Sequence, residues 1–202
     1  MQFYPGHTYH LYNQGNNRQQ LFFESENYLY FLKKVRKGLL PYCNIIAWCL
    51  MPNHFHFLIQ VHEDYTHQNA INNKEKIVNP LNRKIGSIQS SYTKAINNRY
   101  NRTGSLFRQR TKAKILSDKS KSRVDTAVNC FFYIHQNPLK AGLVESLEGW
   151  EFSSFKDYAG IRNGDLCNID LGKDLFNLPN NARDFYELSY RTIPDQVIKK
   201  FY

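Results

Sequence analysis

With 202 residues, 42% of them hydrophobic, and a mean hydropathy of −0.59, the chain can bury one substantial core. No run reaches the roughly 20 apolar residues of a membrane helix. Its 27 Lys+Arg against 17 Asp+Glu give a formal net charge of +10 and a pI near 9.4, a field that favours a polyanion, nucleic acid first. The four cysteines, Cys43, Cys49, Cys130 and Cys167, lack Cys-x-x-Cys spacing, which argues against disulfides and a zinc ribbon. The opening Met1-Gln2-Phe3-Tyr4-Pro5-Gly6-His7 lacks the basic-then-apolar pattern of a secretory signal. A cytoplasmic setting with no membrane partner is expected.

In chain order, residues 7–13 alternate polar and aromatic side chains and predict a strand, closed by the turn-rich Gln14-Gly15-Asn16-Asn17-Arg18. Asn16, Asn17 and Arg18 can offer donors to phosphate or bases. Over residues 24–40, Tyr28, Phe31, Leu32, Val35 and Leu39 recur at helical spacing. Ile45-Ile46-Ala47-Trp48-Cys49-Leu50 is apolar on both faces, as in a central strand. It runs through the turn residues Met51-Pro52-Asn53 into His54-Phe55-His56-Phe57-Leu58-Ile59-Gln60. In that strand the period of two places His54 and His56 on one face, a two-imidazole metal half-site, and Phe55, Phe57 and Ile59 on the other.

Residues 62–82 read as a polar loop leading into a second helix at 80–100, with Ile85, Ile88, Tyr92 and Ile96 as its apolar seam. Residues 99–114 are the most basic segment, in which Arg99, Arg102, Arg108, Arg110, Lys112 and Lys114 interleave with Tyr100 and Phe107. That pattern suits a surface tracking a nucleic-acid backbone. Residues 112–116 complete a fourth strand. The order strand, helix, strand, strand, helix, strand is the split βαβ, ferredoxin-like pattern, an α+β fold with an antiparallel sheet and its helices on one face.

A third helix spans 122–136 on Val124, Ala127, Val128, Phe131, Phe132 and Ile134, and is expected to end at Asn137-Pro138. Tyr133 and Asn137, four apart, share one side of it. If that side faces His54 and His56, two imidazoles, one amide oxygen and one phenol meet. A cation held there would polarise a phosphate oxygen, and the tyrosine would attack phosphorus. A non-catalytic single-stranded DNA or RNA binder needs the basic and aromatic surface but neither Tyr133 nor the histidine pair. A zinc hydrolase would want a general base such as Glu beside the histidines, and none is evident.

The stretch Trp48 through Ile59 with its His54-Phe55-His56, followed by Tyr133-Ile134-His135-Gln136-Asn137-Pro138-Leu139-Lys140-Ala141-Gly142-Leu143-Val144, resembles the single-tyrosine HUH transposases. Within them it resembles the REP-associated tyrosine transposase branch of the IS200-like superfamily. His10-Leu11-Tyr12-Asn13-Gln14-Gly15-Asn16-Asn17-Arg18 and Trp150-Glu151-Phe152-Ser153-Ser154-Phe155-Lys156-Asp157-Tyr158 match it too, so the likeness covers about residues 5–160.

The resemblance implies a catalytic domain at 1–160 with an added catalytic-tyrosine helix, and a C-terminal helical extension at 161–202 packed on the core. It implies metal-dependent cleavage and rejoining of single-stranded DNA near hairpin-forming repeats, in DNA transposition or repeat processing, and leaves a homodimer open. His54 and His56 would be metal ligands, Tyr133 the nucleophile and Asn137 the third ligand, with Gln136 as the alternative. Many relatives carry Arg where this chain has Gln14, so a charged contact is missing there or moved to Arg18. The implied cation is Mg2+ or Mn2+, and two imidazoles suit manganese better.

Overall fold

The structure is a computed structural model that describes residues 1–65, 79–116 and 121–201, the side chains of 121–125 excepted. The loop expected over 62–82 therefore lies largely outside the described residues, as does the side chain of Val124. Four strands, β1 (Thr8–Gln14), β2 (Cys43–Met51), β3 (His54–Val61) and β4 (Lys112–Ile115), form one sheet in the order β2-β3-β1-β4. All three pairings are antiparallel. The tight Pro52-Asn53 turn joins β2 to β3, while β1 takes the centre and β4 adds to its far side.

Helices α1 (Ser25–Leu39) and α2 (Pro80–Arg99) cover one face of the sheet. Leu11, Phe55 and Phe57 meet Phe31, Val35 and Leu39 of α1 and Ile85 and Ile88 of α2 there. The α2 start is fixed by Asn79, whose side chain accepts from the Asn82 N–H, and by Pro80, whose missing N–H costs nothing in a first turn. On the opposite face lies α3 (Lys121–Lys140), packed mainly along β2 and β3.

Expected to stop at Asn137, α3 instead continues through Pro138 to Lys140. Proline disfavours helix in the residue before it. Here the Asn137 amide donates to the Tyr133 carbonyl (2.9 Å), and the Ala141 and Leu143 N–H groups close onto the Asn137 and Pro138 carbonyls. These bonds hold the last turn in place of the one proline cannot make.

The rest of the chain wraps the outer edge of β2. An unpaired sheet edge invites pairing with other chains, and this one is occupied. Leu50 N–H donates to the Phe152 carbonyl, Ser154 N–H to the Trp48 carbonyl, and Asn168 N–H to the Ile45 carbonyl. The Tyr158 hydroxyl donates to the Ile46 carbonyl at 2.7 Å. Short helices follow: α4 (Phe155–Tyr158), α5 (Ile169–Phe176), α6 (Ala182–Ser189) and α7 (Asp195–Ile198), the last running into a 3-10 turn, Lys199–Phe201. Phe176 and Phe185 pack on Phe131 of α3. Among the described residues no helix is long and apolar enough to cross a membrane.

Ser154 is the most loaded point of this wrap. Its fully buried hydroxyl accepts from the Trp48 N–H at 2.9 Å and lies 2.8 Å from His135 Nε2. Ser154→Ala leaves two buried polar groups unsatisfied and lowers the unfolding free energy by about 1–3 kcal/mol. Urea titration reads this as an earlier midpoint with an unchanged slope, and an unshifted midpoint contradicts it.

Candidate active site

The β1–β3 register sets which side chains meet. Tyr12 pairs with His56 and Gln14 with His54, so His10, Tyr12, Gln14, His54 and His56 all project from the face that α3 covers. The rings of His54 and His56 stand 5.0 Å apart and perpendicular. His54 Nδ1 lies 2.6 Å from Asn53 Oδ1, and His56 Nδ1 lies 2.8 Å from His10 Nε2. Desolvation by burial pushes the His54 pKa down to about 4 and holds His56 well below the ordinary imidazole value, with His10 and His54 adding to the effect on His56. Both rings are therefore neutral at pH 7, the form that binds a metal.

Tyr133, on α3, reaches this pair: its ring stands edge-on to His56 with centroids 5.9 Å apart. The Phe201 ring packs against it at 5.2 Å, and Lys140 Nζ lies 5.8 Å from its centre. Asn137 shares its side of the helix, held by the bond to the Tyr133 carbonyl. Gln136 turns away, its amide donating to the Ser189 and Arg191 carbonyls at 2.8 Å each. Among the described residues no three His, Cys, Asp or Glu side chains form a metal-binding group. Two neutral imidazoles, each anchored through Nδ1, are a donor set that a divalent cation would accept.

The histidine pair opens into a cleft of about 350 Å³ lined also by Tyr12, Asn13, Gln14, Arg108, Arg110 and Lys112. These three cations are exposed and have no acidic partner among the described residues. Asn13 pins their segment to β1 by donating to the Arg108 carbonyl (3.1 Å) and the Thr111 hydroxyl (3.0 Å). Lys114 follows Lys112 on the same strand face, opposite His10.

The other basic residues are placed differently. Arg99 pairs with Glu24 at 2.5 Å, while Arg102 bonds Gln19 and lies over the Phe23 ring. Neither lines the cleft. Asn16, Asn17 and Arg18 form a 3-10 turn beside His54, tied down by Gly15 N–H to the Asn53 carbonyl (2.8 Å). Only glycine fits at 15, since a Cβ would lie 2.1 Å from the Gln19 carbonyl.

Two further residues of the site, His10 and Tyr12, have no role assigned to them by the resemblance. His10, fully buried, bonds His56, and Tyr12 stacks on His10 at 4.7 Å with its ring 6.1 Å from that of His56. Their signals in the sequence are the alternation of residues 7–13, which puts them on a common face, and their place in the stretch 10–18 that carries the resemblance; neither says what they meet. Of the other tyrosines that could rival Tyr133, Tyr100 donates to Glu24 and Tyr158 to the Ile46 carbonyl, both away from the histidine cleft.

A family model described as "Transposase IS200 like" matches residues 4–129, a span that holds both histidines and the basic segment and stops short of Tyr133. The chain is similar in structure to a REP-associated tyrosine transposase solved bound to a REP hairpin, with a TM-score of 0.57 and 19% identity over 84% of this chain and 92% of that one. Comparison with curated proteins returned no match.

Burial makes the site sensitive to acid. His10 and His54 titrate near 4, His135 near 3 and His56 well below its ordinary value in the folded protein, all through desolvation, against about 6.5 unfolded. The folded state thus binds fewer protons below pH 6.5. Its stability is full above that pH and falls as pH drops toward 4, by up to about 1.4 kcal/mol per pH unit for each histidine. Urea unfolding of chelator-treated protein between pH 7.5 and 4.5 should show this decline, and a flat profile contradicts it.

Proposed function

The chain belongs to the IS200-like transposase family, and from that premise we propose that it cleaves and rejoins single-stranded DNA through a phosphotyrosine formed on Tyr133. The observation that carries this reading is the edge-on approach of Tyr133 to His56, beside a cleft lined by Arg108, Arg110 and Lys112. The hairpin held by the structural neighbour supports hairpin-forming repeats as substrate. The setting is cytoplasmic.

In this reading His54 and His56, with Asn137 as the third protein ligand, would hold a divalent cation, Mg2+ or Mn2+. Bound there, it would supply Lewis acidity toward a phosphate oxygen. Arg108, Arg110, Lys112 and Lys114 bind the DNA backbone and draw it across the cleft. Asn16, Asn17 and Arg18 contact the strand beside His54, whereas Arg99 and Arg102 chiefly brace the fold. Tyr133 Oη forms a bond to phosphorus as the bond from phosphorus to the leaving sugar oxygen breaks. The phenol proton passes to water, and the departing oxygen takes a proton to become a hydroxyl. Lys140 steadies the phenolate as it develops. Rejoining is the reverse displacement by a sugar hydroxyl, so the energy of the broken phosphodiester is retained.

A second reading places the nucleophile at Tyr12, which lines the cleft and lies at nearly the same distance from His56. The two are separated by incubating the protein with hairpin oligonucleotides and Mn2+ and mapping the adduct that survives denaturation. Tyr133→Phe should bind DNA like the parent and form no adduct, whereas Tyr12→Phe should still form it. An adduct on Tyr12 overturns the assignment. Adduct formation by neither parent nor variant supports a non-catalytic DNA-binding module instead.

A further prediction concerns the cations. Arg110→Gln or Lys112→Gln should weaken every single-stranded DNA alike and make the salt dependence shallower by about 0.7 in log–log slope. Arg99→Gln, whose parent side chain is paired with Glu24, should leave that slope unchanged. Fluorescence anisotropy at several salt concentrations measures both, and equal slope losses at positions 99 and 110 contradict the placement.

A further inference from the structure

His10 lies on β1 diagonally from His56, because the register pairs His56 with Tyr12 and His10 with Leu58. The rings of His10 and His56 are nearly parallel, 18° between planes, with centroids 5.0 Å apart. His10 Nδ1 lies 3.0 Å from the Phe201 backbone carbonyl, and its Nε2 lies 2.8 Å from His56 Nδ1. A carbonyl oxygen can only accept, so His10 Nδ1 carries the hydrogen. His10 is fully buried, where a charged ring would be costly, so its Nε2 carries the lone pair. His56 Nδ1 must then be the donor across the 2.8 Å contact, and neutral His56 is left with its lone pair on Nε2.

We propose that His10 is a positioning residue that fixes the tautomer and ring orientation of His56, within a relay running from the Phe201 carbonyl through His10 to the metal-facing nitrogen. The proposal rests on the reading of His56 as a metal ligand. Each link is held by packing: Tyr12 stacks on the His10 ring at 4.7 Å, and Phe201 stands edge-on to it at 6.4 Å.

His54 reaches the same state by a local route, its Nδ1 facing Asn53 Oδ1 at 2.6 Å. Both histidines then present Nε2. One takes its orientation from the adjacent residue, and the other from a side chain on the neighbouring strand and a carbonyl near position 200. Acceptors behind metal-bound imidazoles fix ring orientation and raise ligand basicity. His10 thereby tunes metal affinity without touching the metal or the DNA.

The test begins with the metal-free protein. Long-range 15N–1H correlation spectra at pH 7.5 should show His56 with Nδ1 protonated and Nε2 unprotonated. A His56 ring protonated on Nε2, or a mixture of tautomers, overturns the proposal. Titration with Mn2+ supplies the second readout: His10→Phe fills the space but breaks the relay, and should raise the Mn2+ Kd about 10- to 100-fold. His10→Gln, whose amide can donate to the Phe201 carbonyl and accept from His56 Nδ1, should keep the Kd within a few-fold of the parent. Unchanged Mn2+ affinity in folded His10→Phe overturns the relay. If His10→Phe does not fold, the parent spectrum and His10→Gln decide the matter, and loss of affinity in His10→Gln counts against it. The relay tautomer with Mn2+ binding but no DNA adduct would sink the phosphotyrosine reading and leave the relay standing. An adduct formed by a protein whose His56 is protonated on Nε2 would do the reverse.

Discussion

The antiparallel pairing of β3 with β1 is the constraint from which the rest of the site follows. Side chains on a strand alternate with a period of two, so a slip of one residue would exchange the two faces of β3. His54 and His56 would then enter the apolar layer under α1 and α2, and Phe55 and Phe57 would face α3. The cost of burying bare imidazoles against Phe31 and Ile85 on one side, and of exposing phenylalanines on the other, pins the register. Once it is pinned, Tyr12 and Gln14 necessarily flank the two histidines, and His10 comes within hydrogen-bonding reach of His56.

Burial does two things to these histidines. Desolvation keeps them neutral at physiological pH and so ready to ligate a cation without first losing a proton. The same desolvation makes the folded state resist protonation that the unfolded chain accepts, so the readiness of the site is coupled to acid sensitivity of the fold. A buried ring nitrogen must also find a hydrogen-bond partner. The Asn53 side chain and the His10 ring meet that need for His54 and His56 while orienting them.

Charge near the cleft is selected by pairing rather than by abundance. Residues 99–114 carry Arg99, Arg102, Arg108, Arg110, Lys112 and Lys114, but Arg99 is matched by Glu24 and Arg102 is held by Gln19 and Phe23. Glu24 offsets the charge of Arg99, Arg102 is oriented by neutral groups, and neither side chain lines the cleft. Arg108, Arg110 and Lys112 stay exposed around the histidines and keep their attraction for a phosphate backbone. The far end of the chain contributes in a different way. Its residues 150–168 satisfy the outer edge of β2, and Phe201 brings both an aromatic ring to Tyr133 and a carbonyl to His10.

What the amino-acid sequence determined by itself is whatever depends on local periodicity. The period of two put His54 and His56 on one face, the helical period put Tyr133 and Asn137 on one side of α3, and the run of strands and helices specified the split βαβ order. Local rules also misjudged where α3 ends, because the bonds that carry it through Pro138 come from residues 141 and 143 and from the Asn137 side chain. Tertiary structure alone decided which residues meet across long separations: His10 with His56, Tyr133 with His56, Arg99 with Glu24 and Phe201 with both Tyr133 and His10. Of the tyrosines the sequence offers as rivals to Tyr133, namely Tyr12, Tyr100 and Tyr158, it kept only Tyr12 near the same imidazole. The physical reason is that a side chain's face is fixed by its neighbours in the chain, whereas its partner is fixed by how strands register and helices pack.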